Sequence, residues 1–235
     1  MSSGTVSTSG SGLVFHNTYT SSCTAQFIAC IVAAEKELES LFTSSLTVNE
    51  TFKMAPLKGL AALNSASKTV TVNYSTLKGK LFEFAPGDVL PGADPSGGKG
   101  FRVPVAYARF LGLTELAPST DDTVTLNSNI NWVFGQDVIN ALTHELSEGA
   151  LGRVGGLGDQ HNKWSTMDLF RYTAAGQYDT TDGRDGLKTY FSSDGGATTS
   201  ASANLSFYNE YNGSTYKSSG DPQGNRVKKL STWGF

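Results

Sequence analysis

The run Ala141-Leu142-Thr143-His144-Glu145-Leu146-Ser147-Glu148 contains one of only three histidines in the 235-residue chain. On an α-helix His144 and Glu148, at i and i+4, lie on one face, about 6 Å apart along the axis and offset by about 40°. An imidazole nitrogen and a carboxylate oxygen so placed can grip one metal ion. Glu145, beside the first ligand, points to a neighbouring face at the open side of that metal, where a general base must stand to take a proton from water. The chemistry predicted is metal-assisted hydrolysis. A carboxylate stands where the H-E-x-x-H pattern has its second imidazole. Zinc is the expected ion, and oxygen donors also suit manganese, iron or calcium. Without a metal, the same residues are simply solvated positions of a helix.

The surrounding segment has the periodicity that such a helix needs. With residues placed every 100°, Val138, Ile139, Leu142 and Leu146 form an apolar stripe, and Asp137, Ala141, His144 and Glu148 occupy the far side. Asp137 is the expected N-cap, and Gly149 and Gly152 supply the left-handed residue that ends a helix. Downstream, Asp159, His161 and Asp168 are the candidates for a third ligand. Imidazole is the commoner zinc ligand, and His161 follows a glycine-rich loop over residues 153–158. Arg153 and Arg171 are candidates to bind a substrate carboxylate or steady an oxyanion, or else to form salt bridges within the fold.

The elements that must position this helix are also legible. Leu13-Val14-Phe15 begins a strand, with His16 near its end as a surface or core-edge histidine. Residues 24–42 carry apolar Phe27, Ile28, Ile31, Val32, Leu38, Leu41 and Phe42 at helical spacing, and residues 45–54 alternate as a strand, which gives a β-α-β opening. A strand is expected over 68–74, a helix over 74–84, a Pro/Gly-rich connection over 86–100 and a helix over 105–113. Residues 123–134 read as a strand immediately before the candidate helix; at a sheet edge it would offer free backbone groups to an extended substrate. Residues 1–11 read as a disordered leader, and from 174 onward apolar residues thin out into a loop-rich region of short hairpins. Asp179, Asp182 and Asp185 match no EF-hand spacing and are expected to serve as turn formers. No linker or internal repeat marks a second domain, so residues 12–235 are expected to form one domain.

Composition narrows the setting. Charged residues make up 17% and hydrophobic residues 38% of the chain, with abundant Gly, Ser, Thr and Asn, a balance typical of secreted bacterial proteins. The net charge of −3 offers no basic field for nucleic acid or anionic lipid. No apolar run approaches the ~20 residues needed to span a bilayer. Met1-Ser2-Ser3-Gly4 leads into no charged and apolar signal segment, as in a mature secreted chain with an added initiator methionine. Cys23 and Cys30 are about 10 Å apart if both are helical, and can bridge only if Cys23 precedes the helix.

Residues 144–153, HELSEGALGR, followed by MDLFRY at 167–172 and YFSSDGG at 190–196, resemble a family of secreted bacterial zincin-like metalloproteases. Its members carry a similar H-E-x-S-E segment ending in Gly-Arg, a DLFRY-like segment and a YFS-x-DGG-like turn. The resemblance implies an α+β, zincin-like single domain with a mixed twisted sheet, an active-site helix and a loop-rich C-terminal region. It implies His144 and Glu148 as ligands, Glu145 as base, and Asp168, within the resembling segment, as third ligand ahead of His161. The pattern departs from thermolysin-like and metzincin-like sites, since position 148 is no histidine and no H-x-x-G-x-x-H extension follows.

The leading expectation is therefore a secreted, monomeric, zinc-dependent peptidase acting on peptide or protein substrates. Two alternatives stand beside it: a non-catalytic secreted binding or adhesion module with a structural metal, and a metalloenzyme acting on another polymer. Three protein ligands plus water favour catalysis, whereas a closed four-ligand shell favours structure.

Overall fold

The computed structural model describes residues 1–153, 163–179 and 190–197. Along the chain come β1 (Ser2–Ser7), β2 (Leu13–Tyr19), α1 (Ala25–Glu39), β3 (Leu46–Ala55), β4 (Ala62–Ala66) and β5 (Thr69–Val72). These are followed by α2 (Tyr74–Phe84), β6 (Phe101–Pro104), α3 (Val105–Phe110), β7 (Asp122–Asn127) and α4 (Gln136–Gly149). Last are β8 (Trp164–Ser165), a 3₁₀ turn over Thr166–Phe170, β9 (Arg171–Ala174), β10 (Gln177–Tyr178) and β11 (Tyr190–Phe191). The class is mixed α+β. Among the described residues no helix is long and apolar enough to cross a membrane.

The described chain gathers into two compact units that are interleaved in sequence, one built from Met1–Thr69 and Pro104–Gly152, the other from Val70–Val103 and the described residues from Arg153 onward. Because the two units alternate along the chain, composition carries no single boundary between them.

The first unit is a five-stranded sheet in the order β1-β2-β3-β7-β4. β2, β3 and β7 run parallel, and the two edge strands β1 and β4 are antiparallel to their neighbours. Alternation aims Leu13, Phe15 and Tyr19 of β2, Leu46, Val48 and Phe52 of β3, and Val124 and Leu126 of β7 into the core. α1 and α4 pack on each other and on that face, burying Phe27, Ile31 and Leu38 from one helix and Val138, Leu142 and Leu146 from the other. The crossover from β2 through α1 to β3 is the expected β-α-β unit. Thr24 caps α1 by accepting from the Phe27 amide at 3.2 Å. Cys23 lies before the helix, and both cysteines are free thiols.

Two expectations are corrected here. Residues 2–7 are not a disordered leader: they pair antiparallel with β2 from Ser2↔Tyr19 to Ser7↔Val14, and Val6 is buried. A ladder needs backbone groups rather than apolar side chains, so a Ser/Thr/Gly-rich segment can complete an edge. The strand before α4 ends at Asn127 and lies between β3 and β4, not at an edge. The chain leaves it because Asn127 ties two loops together, donating through Nδ2 to the Leu57 and Leu60 carbonyls and accepting through Oδ1 from the Leu57 and Asn129 amides. The edge is β4, whose small and polar residues carry little strand signal.

The second unit holds two three-stranded sheets, β5-β6-β8 and β10-β9-β11. Its core is aromatic: Tyr74 meets Phe101 at 5.8 Å between ring centroids, Phe101 meets Trp164 at 5.8 Å, and Trp164 stacks on Tyr178 at 6.4 Å. α2 spans the predicted 74–84, with Asn73 as its N-cap. Gly176, at φ 68°, makes the turn between β9 and β10.

Candidate functional site

α4 presents its apolar stripe as expected, with Val138, Leu142 and Leu146 fully buried. Its N-cap is Gly135 rather than Asp137, which instead sits in the first turn, where its charge complements the helix dipole. At the other end Gly152 has the left-handed φ of 75°, while Gly149 is the last helical residue. Gly149 serves a different purpose: a Cβ there would stand 1.9 Å from Oδ2 of Asp122, so the glycine lets the helix lie directly on the first residue of β7. Asp122 is fully buried and its Oδ1 accepts from the Ser65 amide at 2.9 Å, leaving it little room to move. Gly149→Ala is therefore expected to destabilise the protein by about 1–3 kcal/mol, read as a lower midpoint in urea. An unchanged midpoint would show that the helix does not bear on the carboxylate.

The three residues of the motif converge. His144 Nε2 and Glu148 Oε1 are 3.2 Å apart, with side chains 21% and 13% exposed. Glu145 is buried, and its Oε2 accepts from Asn64 Nδ2 at 2.8 Å. The same Nδ2 donates to Glu148 Oε2 at 3.1 Å. Glu148 is thus held on both oxygens, by His144 on one and by Asn64 on the other. Asn64 lies on β4, paired with Val124 of β7. It was not singled out from the sequence, because the strand that carries it has no apolar alternation.

Beneath this trio runs a row of buried polar groups. Asn17, Glu50 and Asp122 are register partners on β2, β3 and β7, so their side chains line up across the helix-covered face. Asn17 donates to Glu35 of α1 at 2.9 Å. Among the described residues neither carboxylate oxygen of Glu50 has a hydrogen-bond partner, nor do Glu35 Oε1, Asp122 Oδ2 and Asn17 Oδ1. Burial holds the Glu50 carboxyl well above the usual range, and Asp122, Glu35 and Asp121 push it further up. Burial raises Glu35 to about 8 against the downward pull of its bond from Asn17, with Glu39 adding to the rise. Asp122 is pushed up to about 7 by burial, partly opposed by backbone bonds from Thr123 and Ser65, with Glu145 and Glu148 adding to the rise. All three carboxyls are thus displaced toward the protonated form, Glu35 further than Asp122, whose acid and carboxylate are balanced near neutrality.

The remaining sequence candidates belong to the second unit or fall outside the described residues. Asp168 is fully buried, and its Oδ2 accepts from the Ser165 amide at 2.7 Å and the Ser165 hydroxyl at 3.1 Å, a capping box on the 3₁₀ turn. Its Oδ1 is 3.5 Å from Arg171 Nη1. Arg171 is buried as well and meets Asp179 through Nη2 at 3.0 Å. A guanidinium taken out of water needs such counter-charges, and these bonds give Arg171 a structural task rather than a substrate-facing one. Asp179 is accordingly an ion-pair partner rather than a turn former. Arg153 is fully buried. His161, Asp159, Asp182 and Asp185 lie outside the described residues.

Among the described residues no three His, Cys, Asp or Glu side chains form a group able to hold a metal ion. What the described site contributes is a nitrogen–oxygen pair, an adjacent buried carboxylate and an amide that touches both acids. No family model matches the chain, and neither curated proteins nor solved structures give a match.

Proposed function

We propose that the protein is a secreted metal-dependent peptidase in which His144 and Glu148 hold zinc and Glu145 is the general base. The observation that carries this reading is the 3.2 Å between His144 Nε2 and Glu148 Oε1. Zinc binds imidazole nitrogen and carboxylate oxygen at about 2.0–2.2 Å, so two ligand atoms on a tetrahedron stand about 3.3 Å apart. The same spacing is at the long end of a direct N–H···O bond, so the two atoms can close on a proton or, in its place, on an ion. The spacing therefore suits a shared ion, and the donor set is one that zinc accepts. Two of its positions are supplied by these residues.

Zinc, when bound, supplies Lewis-acid polarisation of a carbonyl and acidifies water. The chain supplies the rest. Glu145, one residue from a ligand and buried beside it, takes the proton of the attacking water and returns it to the leaving amine. β4, the antiparallel edge beside α4, leaves one row of backbone groups without a strand partner among the described residues, and an extended peptide can add to that row. Low charge and a Ser/Thr/Gly-rich composition support secretion.

The expected result of elemental analysis is one zinc per chain after stripping and reloading, reduced to background in His144→Ala. A wild-type chain that takes up no stoichiometric metal ends the proposal. His161→Ala and Asp168→Ala, measured alongside, test each as a third ligand; with both Asp168 oxygens engaged by Ser165 and Arg171, Asp168→Ala is expected to leave zinc bound. A chain that binds zinc yet cleaves nothing in a broad peptide and protein screen is a binding module in which the metal is a staple.

A further inference from the structure

Asn64 contacts both acids of the motif from another element: its Nδ2 donates to Glu145 Oε2 at 2.8 Å and to Glu148 Oε2 at 3.1 Å. We propose that Asn64 is a positioning residue that fixes the base and the metal-ligand carboxylate together, through the two hydrogens of one amide. The inference rests on the metal-peptidase reading above.

The chemistry of the group explains the choice of residue. Glu145 and Glu148 are three apart on one helix, so their carboxylates are neighbours of like charge and repel. Both must nevertheless be ionised, one to bind a cation and the other to accept a proton. A donor bonded to a carboxylate favours its charged form. A lysine or arginine would do so too, but its positive charge would compete with the ion for Glu148. A serine has a single proton to give. A neutral amide with two donors is the side chain that serves both acids without cancelling either.

Geometry makes the contact directional. With Oε2 of Glu148 taken by Asn64, Oε1 is the oxygen turned toward His144, at the ligand-pair distance. Asn64 itself is anchored by the β4–β7 ladder at Val124, and the next residue is pinned through its amide to Asp122 Oδ1 at 2.9 Å. Leu63 and Ser65, its neighbours along β4, point outward. The strand that offers its edge to a peptide thus also holds the base, so substrate docking and base orientation share one element.

The test measures zinc affinity by chelator competition, kcat and KM on a cleaved peptide, and the melting temperature of the zinc-free protein. Asn64→Ala is expected to weaken zinc binding by about 10–100-fold, the usual effect of losing an outer-shell partner. At saturating zinc it is expected to lower kcat by about tenfold or more with KM little changed, the mark of an interaction that acts on the reacting centre. Asn64→Ser, with one donor left, falls between. In the Glu145→Gln background Asn64→Ala still weakens zinc binding through Glu148 but costs no further rate, because the base it orients is gone.

Unchanged zinc affinity and kcat in Asn64→Ala, in a wild type that binds zinc and cleaves peptide, overturns the role of Asn64 alone. So does a fall in melting temperature with no change in kcat or affinity. A wild type that binds no zinc overturns both this inference and the reading beneath it. If the wild type binds zinc and cleaves nothing, the peptidase reading falls and the affinity loss alone decides the role of Asn64.

Discussion

Glu145→Gln is expected to reduce hydrolysis by about 10²–10⁴-fold while one zinc per chain stays bound. The amide keeps the shape of the side chain and an oxygen that can still accept from Asn64 Nδ2, now 2.8 Å from Oε2. What it loses is basicity, since an amide oxygen cannot carry a proton to a leaving amine at neutral pH. His144 and Glu148 are untouched, so the nitrogen–oxygen pair at 3.2 Å remains available to the ion. The measurement is kcat/KM together with elemental analysis on the same preparation. If rate and zinc are lost together, Glu145 is part of the metal's support. Full activity with Gln at 145 makes it a bystander, and the proposed mechanism is then wrong.

The site was legible in the sequence to the extent that one helix carries it. The HELSE spacing puts ligand and base types on adjoining faces, and the apolar stripe of Val138, Leu142 and Leu146 is what turned those faces toward β4 and β7. What could not be read was the partner across the gap. Asn64 lies in Ala62–Ala66, five small or polar residues made into a strand by pairing with β7 rather than by their own propensity. Tertiary pairing of that kind leaves no local signal.

The buried acids did leave one. In β2 the inward positions read Leu13, Phe15, Asn17, Tyr19, and in β3 they read Leu46, Val48, Glu50, Phe52. A carboxylate in phase with apolar neighbours must go where they go, since shifting it outward would turn every neighbour outward as well. Glu35 does the same on α1, buried with Phe27, Ile31 and Leu38. Asp168 and Arg171 show the opposite case. Their types suggested a ligand and an anion binder, but burial of both pairs them with each other and with Asp179, and three-dimensional burial is not written in residue type.

The alignment of Asn17, Glu50 and Asp122 leads to the second large effect, on stability against pH. Glu35 keeps its proton in the folded protein to about pH 8, whereas an unburied glutamate loses it near 4.5. Asp122 keeps its proton to about 7 against an ordinary 3.8, and Glu50 is raised well above its ordinary 4.5. Across these windows the folded state binds more protons than the unfolded one, so stability falls as pH rises. Each group in its window contributes a slope of up to about 1.4 kcal/mol per pH unit. The slope vanishes below about pH 3, where both states are protonated, and for Asp122 and Glu35 it ends above about 7 and 8. Urea midpoints taken in EDTA, which removes metal linkage, are expected to fall steadily from pH 5 to pH 8. Glu50→Gln removes one titrating group, stays neutral throughout and adds N–H donors beside the unpartnered oxygens of Asp122 and Glu35. It should match the wild type near pH 5 within about 1 kcal/mol and exceed it increasingly toward pH 8, because only the wild type must then hold or ionise a buried acid at that position. A variant curve parallel to the wild type from pH 5 to 8 would mean that Glu50 does not carry a buried proton, and one that rises with pH in both proteins would dismiss the neutral acid row altogether.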